Sequence, residues 1–223
     1  MVIKKIGGVG GSEVPTRVQL NGPKSVERVE AENFVRNSFK VHYGAHIEHF
    51  LPTLMTLRND DGRLLAVLGL RHPEQEALYL ERYLGSPVQQ VLSGAINTEV
   101  TRTELIEVGN FAVGAAGGGR WLITALTALL HGAGRHWAVF TCGPILRNAF
   151  DRLGVELIDL AAANPDCLTP AESALWGSYY ASKPRVMAAN VAQSHAVLSA
   201  LFEKECALSL LWMGALQAGR LVA

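Results

Sequence analysis

The sequence predicts an α/β (α+β) protein with a mixed sheet flanked by helices, and three stretches carry that expectation. Residues 105–160 alternate short apolar runs with helical periodicity, as parallel β-α-β units require when their strands are covered on both faces. Residues 53–58 and 64–71 are apolar runs on either side of Asn59-Asp60-Asp61-Gly62, the composition of a hairpin turn. Gly114, Gly117, Gly118 and Gly119 stand between a strand expected at 105–113 and a helix expected at 120–130.

In chain order, residues 1–24 are glycine-rich and weakly patterned and read as a flexible leader. Ser25 caps an expected helix with Ala31, Phe34, Val35, Ser38 and Phe39 on one face, ending before Gly44. After the hairpin, residues 77–80 read as a third strand of a meander, and Ser86-Pro87 opens a helix to about Ile96. Beyond the glycine turn and its helix come a strand at 137–141, a helix opening on Pro144, and a strand at 155–160. Residues 161–171 read as a loop and 176–180 as a strand closing the sheet, while 184–190 are ambiguous. Residues 191–223 carry a C-terminal helix whose broad apolar face holds Val197, Leu201, Leu208, Leu211, Trp212 and Leu216, with Lys204 and Glu205 opposite. The domain proper is expected at 25–190.

The chain has 223 residues, 49% of them hydrophobic, enough to bury one large core. Its formal net charge of +0 excludes a broad basic field for nucleic acid or anionic lipid. Cys142, Cys167 and Cys206 are odd in number and widely spaced, which argues against a disulfide framework or a structural zinc. Glycines stand where a signal peptide needs its apolar core, and no run reaches the roughly 18 apolar residues of a membrane span. A cytoplasmic location is expected.

At a strand-to-helix turn, backbone N–H groups and the positive end of the helix dipole converge, which suits a phosphate or pyrophosphate. A P-loop needs Lys and Ser/Thr after its last glycine, where this chain has Arg120 and Trp121. A dinucleotide fingerprint needs an acidic ribose ligand about 20 residues on, but the next strand ends in Thr141, Cys142 and Gly143.

The remaining arrangement resembles the GNAT-type acyltransferases, which hold the pyrophosphate of coenzyme A, or the pantetheine arm of a carrier, on such a turn. The resemblance implies a GNAT-like, mostly antiparallel sheet with splayed central strands. That family's Arg/Gln-x-x-Gly-x-Gly/Ala stands here as Gly114-Ala115-Ala116-Gly117-Gly118-Gly119, without the leading Arg/Gln. Its Tyr-x-Lys-x-Gly-Phe, with Tyr as acid for the leaving thiolate, is replaced by Phe150-Asp151-Arg152-Leu153-Gly154-Val155. Solvent or another side chain must then protonate the thiolate. Residues Ile106 to Val113 are similar to the Trp-Glu-x-Ser-Arg-Phe-x-Val strand of the acyl-homoserine-lactone synthases, with Glu107 and Phe111 matching and Asn110 in place of Arg. From about 25 to 190 the chain resembles the thermostable hemolysin family. The residues carrying that likeness include Ala31-Glu32-x-Phe34-Val35-Arg36, Phe50-Leu51-Pro52, Leu146-Arg147-Asn148-Ala149-Phe150 and Trp176-Gly177-Ser178-Tyr179-Tyr180.

Under this resemblance, Glu107 is the expected acceptor of the amine's proton, with Glu104 its substitute. The bland alternative is a buried Glu paired with Arg71 or Arg102. Asn110 would bind the acyl carbonyl or the acceptor, or else hold a β-bulge that splays the strands. The donor arm would lie along Phe111, Val113, Gly117, Gly118 and Gly119, with Arg120 and Arg147 as cations for its phosphates, Arg152 flanking the same helix, and solvated surface arginines as the bland alternative. Cys142 lacks a visible base and reads as a core thiol. His42, His46 and His49 share a helical spacing interrupted by Gly44, and no metal is expected.

The expected function is N-acyl transfer from acyl-CoA or phosphopantetheinyl acyl-carrier protein to a small amine or amino acid, by direct attack in a ternary complex. No tightly bound cofactor and no nucleic acid are expected, and a homodimer and a peripheral membrane contact are allowed. The alternative is a membrane-active, hemolysin-like or non-catalytic binding protein whose last helix inserts into lipid.

Overall fold

The chain enters its sheet at Arg17–Asn21 (β1), within the segment expected to be a leader. The computed structural model describes residues 14–74, 76–114, 118–202 and 206–223, so residues 1–13 and Ala115, Ala116 and Gly117 of the glycine turn lie outside the described residues. β1 pairs with its neighbour from Arg17↔Arg58 to Asn21↔Leu54. Asn21 also donates to the Leu54 carbonyl at 3.3 Å and to Thr56 Oγ1 at 3.1 Å. Tertiary pairing thus makes a strand of a segment with little pattern of its own.

Helix α1 (Arg28–Tyr43) buries Ala31, Val35 and Phe39 and stops at Gly44, whose φ of 65° returns the amide to the last turn. Strands β2 (Thr53–Arg58) and β3 (Leu64–Arg71) form the expected hairpin. The Asn59 side chain accepts the Arg63 amide at 2.8 Å, and Gly62 takes a φ of 79°. No strand follows at 77–80. Tyr79–Tyr83 is a 3-10 turn instead, because the Glu107 carboxylate takes the Tyr79 and Leu80 amides that a ladder would have used. Helix α2 (Val88–Ile96) follows.

The central units are β4 (Leu105–Val113), α3 (Gly118–Gly132), β5 (Trp137–Cys142) and α4 (Pro144–Arg152), all where the apolar periodicity puts them. The next strand, β6 (Ile158–Ala162), starts later than expected, since Val155 still closes α4 through the Phe150 carbonyl. Helix α5 (Pro170–Leu175) is capped by Thr169. Residues 176–180 are not a strand: Gly177 has φ 53°, a Cβ there would strike the Tyr43 carbonyl, and Ser178 donates its amide to that same carbonyl at 2.8 Å. The sheet is closed instead by β7 (Arg185–Asn190), whose Val186 to Ala189 are buried on both faces and so show no alternation. The C-terminal segment is helical in its described parts, α6 (Val191–Phe202) and α7 (Cys206–Arg220); Lys204 and Glu205, expected opposite the apolar face, lie outside the described residues.

The seven-stranded sheet has the order β1-β2-β3-β4-β5-β7-β6. Only β4 and β5 pair in parallel; the other described pairs are antiparallel. Helices α3, α4, α6 and α7 cover one face, and α1, α2 and the 3-10 turn cover the other. Helices α3 and α7 touch backbone to backbone: a Cβ on Gly132 would strike the Leu216 carbonyl, and one on Gly219 the Leu129 carbonyl.

Candidate active site

Where β4 and β5 separate, the sheet opens. Their parallel pairing runs from Leu105↔Trp137 to Val108↔Phe140, while β4 continues to Val113 and β5 to Cys142. Gly109 and Thr141 are therefore the first positions without a partner across the gap. On the β3 side the register slips between Val67 and Gly69, so β4 carries a bulge there, and Asn110 sits in it with φ 50°. Its Oδ1 accepts the Leu51 amide at 2.9 Å. The Leu51 side chain rests on the sheet at Gly69 and Gly109, where an added Cβ would come within 2.8 and 3.0 Å of it. Of the two readings of Asn110, the bulge holder fits this geometry. Its Nδ2 has no hydrogen-bond partner among the described residues.

Glu107 is 4% exposed, with Oε1 accepting Leu80 N at 2.8 Å and Oε2 accepting Tyr79 N at 3.1 Å. Arg71, not Arg102, is its cation, at 3.5 Å; Arg102 pairs with Glu81 at 2.7 Å. Burial raises the Glu107 pKa, opposed by those amides and by Arg71. Both oxygens are occupied and shielded, a geometry that fits the alternative reading of Glu107 as a buried anchor. Glu104 lies at the opposite end of β4 from the glycine turn, nine residues away from Val113 or roughly 30 Å at strand rise. It accepts the Thr101 amide at 2.6 Å and meets His136 Nδ1 at 2.6 Å, and these, the amide foremost, hold its pKa down. It caps a turn and has no place at the gap.

The donor-side residues lie together at the far end of β4. Phe111 and Val113 pack against the core beneath α3 and α4. Gly118 opens α3 so close to Val113 that a Cβ would sit 3.2 Å from the valine Cβ, whereas one on Gly119 would only touch Ala149 at 4.0 Å. A Cβ at 118 would make Val113 give way by a few tenths of an ångström, whereas 119 has room for one. Gly117 is outside the described residues. Arg120 is exposed, with its guanidinium 5.7 Å from the Trp121 ring centre. Arg147 and Arg152 are exposed on α4. Cys142 is buried and its pKa is pushed up to about 12, with Arg147 acting against the shift, which leaves a thiol and no nucleophile. His42 bonds Ser38 O within α1 while Gly44 turns the chain away; among the described residues no cluster of three or more His, Cys, Asp or Glu could hold a metal.

The sequence reading missed the wall over the other face. All five tyrosines of the chain, Tyr43, Tyr79, Tyr83, Tyr179 and Tyr180, join Trp176 and Phe39 in one partly exposed cluster with ring centres 5.1 to 6.5 Å apart. Tyr83 and Tyr180 share a hydroxyl contact of 2.6 Å, and Arg82 reaches Glu172 at 2.9 Å, which ties the 3-10 turn to α5 and the residues after it. Tyr179 donates its hydroxyl to Thr141 Oγ1 at 3.2 Å, at the gap itself.

Solved structures share this architecture. An N-acyl amino acid synthase from uncultured soil microbes, FeeM, superposes with a TM-score of 0.54 at 16% identity, covering 83% of this chain and 98% of that one. TofI, in a ternary complex with an inhibitor and MTA, gives 0.54 at 13% identity over 82% and 96%. The AHL synthase LasI gives 0.52 at 13% identity over 82% and 94%. At such identities the likeness shows the fold alone. No curated protein matches the chain in sequence. Residues 22–195 match the family model of the thermostable hemolysins, and the chain belongs to that family.

Proposed function

We propose that the chain is an N-acyltransferase that moves an acyl group from an acyl thioester to a small amine by direct attack. One observation carries this reading: the central strands part beyond Val108 and Phe140, with the Asn110 bulge on one side of the gap and the glycine turn leading into α3 at the end of β4. A linear phosphopantetheine arm suits such a gap, its phosphates at the α3 N-terminus and its thioester at the apex. The bulge leaves a β4 amide outside the regular ladder, and that amide and Asn110 Nδ2 would polarise the acyl carbonyl. Holding both reactants in one slot supplies the rest of the rate.

Coenzyme A and carrier protein both present this arm, and exposed Arg120 and Arg147 near its phosphate end suit either. The likeness to an N-acyl amino acid synthase supports an amino acid or similar amine as acceptor. Glu107 holds the 3-10 turn that carries Tyr79 over the acceptor side, and the ammonium proton leaves to solvent. Extracts of cells with and without the protein, compared by mass spectrometry, test the reading: new N-acylated amines are expected, and identical extracts together with no thiol release from acyl-CoA or acyl-carrier protein in vitro would refute it. Exposed Leu210, Met213 and Leu221 on and just after α7 favour a second role, contact with a lipid surface onto which an acyl amide could be released.

A further inference from the structure

We infer that Tyr179 is the acid that protonates the departing thiolate, which rests on the acyl-transfer reading above and deepens it. The chemistry sets the requirement. The amine nitrogen attacks the thioester carbon, the C–S bond breaks with its electron pair on sulfur, and the sulfur must take a proton before the thiol diffuses away. The overall change, thioester plus amine to amide plus thiol, balances without another reactant. In this chain Phe150 stands at the position that the GNAT resemblance gives to an acid, and the Cys142 thiol is buried and bonded to Gly143 O at 3.4 Å.

Strand geometry brings one hydroxyl to the gap. Side chains alternate along β5, so Phe140 and Cys142 enter the core under α3 while Thr141 faces the aromatic wall. Thr141 is the first β5 residue past the last β4–β5 pair, across from Gly109, whose face is covered by the Leu51 side chain. The Tyr179 phenol ends there, 3.2 Å from Thr141 Oγ1, with its ring braced edge-on by Tyr43 at 5.2 Å and Tyr180 at 5.2 Å. A weak hydroxyl–hydroxyl bond is easily exchanged for a stronger one to an anionic sulfur. Burial pushes the Tyr179 pKa up to about 12, so the phenol stays protonated until a thiolate arrives. The tyrosinate then recovers a proton from the ammonium of the new adduct by way of solvent, which closes the cycle.

Leaving-group dependence tests this. Purified protein would be given octanoyl thioesters of N-acetylcysteamine and of 4-nitrothiophenol, with mixed amino acids and alkylamines as acceptors, and uncatalysed aminolysis subtracted. An acidic aryl thiolate needs no proton to leave. Tyr179→Phe should lose roughly 10²-fold or more in turnover on the alkyl thioester, with KM unchanged and little loss on the aryl thioester. Fluorotyrosine at 179, which keeps the ring and its packing, should move the alkaline limb of the alkyl-thioester pH profile to lower pH. Equal losses of Tyr179→Phe on both donors, an unmoved limb, or a selective loss in Tyr43→Phe instead would overturn the assignment. Wild-type protein that transfers from neither donor would overturn the acyl-transfer reading itself and this assignment with it.

Discussion

The side-chain oxygen of Asn110 accepts the backbone N–H of Leu51 at 2.9 Å, and this bond joins the loop before β2 to the bulge in β4. Arg28, buried at the start of α1, donates to the Leu51 carbonyl at 2.9 Å and to Pro52 O at 2.7 Å, so the loop is gripped from both sides. Asn tolerates the φ of 50° at 110 better than other side chains with a Cβ. Asn110→Gly should keep the backbone but lose the bond, costing about 1 kcal/mol. Asn110→Ala should cost about 1 kcal/mol more, because alanine is strained there. Urea unfolding of the two variants checks the order, and equal stability would show that the bulge does not need this φ.

The central units were legible because strands 105–113 and 137–142 and the helices after them follow a period that only burial sets, and the hairpin at 53–71 carries its own turn chemistry. The missed parts depend on partners distant in sequence. Residues 77–80 are extended by propensity and are bent by Glu107, and 176–180 are held by the Tyr43 carbonyl at the end of α1. The tyrosine cluster gathers side chains from three separate segments, so no local pattern announces it. Glu107 stands out in the sequence as a carboxylate within an apolar strand, but its partners, two backbone amides, leave no mark there.

Gly119 separates ligand demand from fold demand. A Cβ there meets only Ala149, at van der Waals distance, so Gly119→Val is expected to fold. It should nonetheless weaken binding of octanoyl-CoA or octanoyl-phosphopantetheine by about tenfold or more, since the added methyls fill the space the phosphates need; about 1.4 kcal/mol corresponds to that factor. Calorimetry showing unchanged affinity would remove the turn from the donor site.

Gly219 is the opposite case. Alanine there would drive its methyl into the Leu129 carbonyl, and backbone cannot yield as a side chain can. Gly219→Ala should destabilise by about 2 kcal/mol or more through separation of α3 from α7, seen as a lower urea midpoint. A variant as stable as the parent would mean that α7 is not seated on α3 as described.

His195 links stability to pH. Its ring stacks on His131 at 3.7 Å and lies 4.7 Å from Trp212, and burial first, then His131, lowers its pKa. The unfolded chain, with an ordinary value of about 6.5, takes up the proton first as pH falls. The stabilisation is therefore complete above about 6.5 and is lost as pH drops toward the folded value. His195→Phe should flatten the fall in stability below about pH 6.5 relative to the parent. Parallel urea midpoints for both proteins across that window would show that the stack does not titrate.

Glu107→Gln distinguishes an anchor from a base. Glutamine keeps the shape and one oxygen, but its NH2 must then face either the Tyr79 or the Leu80 amide, donor against donor. A buried amide left unpaired costs about 1–3 kcal/mol, so the variant should be less stable by that order, and the 3-10 turn with Tyr79 and its link through Tyr83 to Tyr180 should loosen. Amide exchange at Tyr79 and Leu80 should rise, and turnover should fall without recovering at higher pH. A base would behave differently: turnover would fall while stability and exchange stayed at parental values, and raising the pH would restore activity by supplying free amine. If that pattern is found, the carboxylate must leave its two amides during the reaction, and the wall it holds is mobile in catalysis rather than fixed.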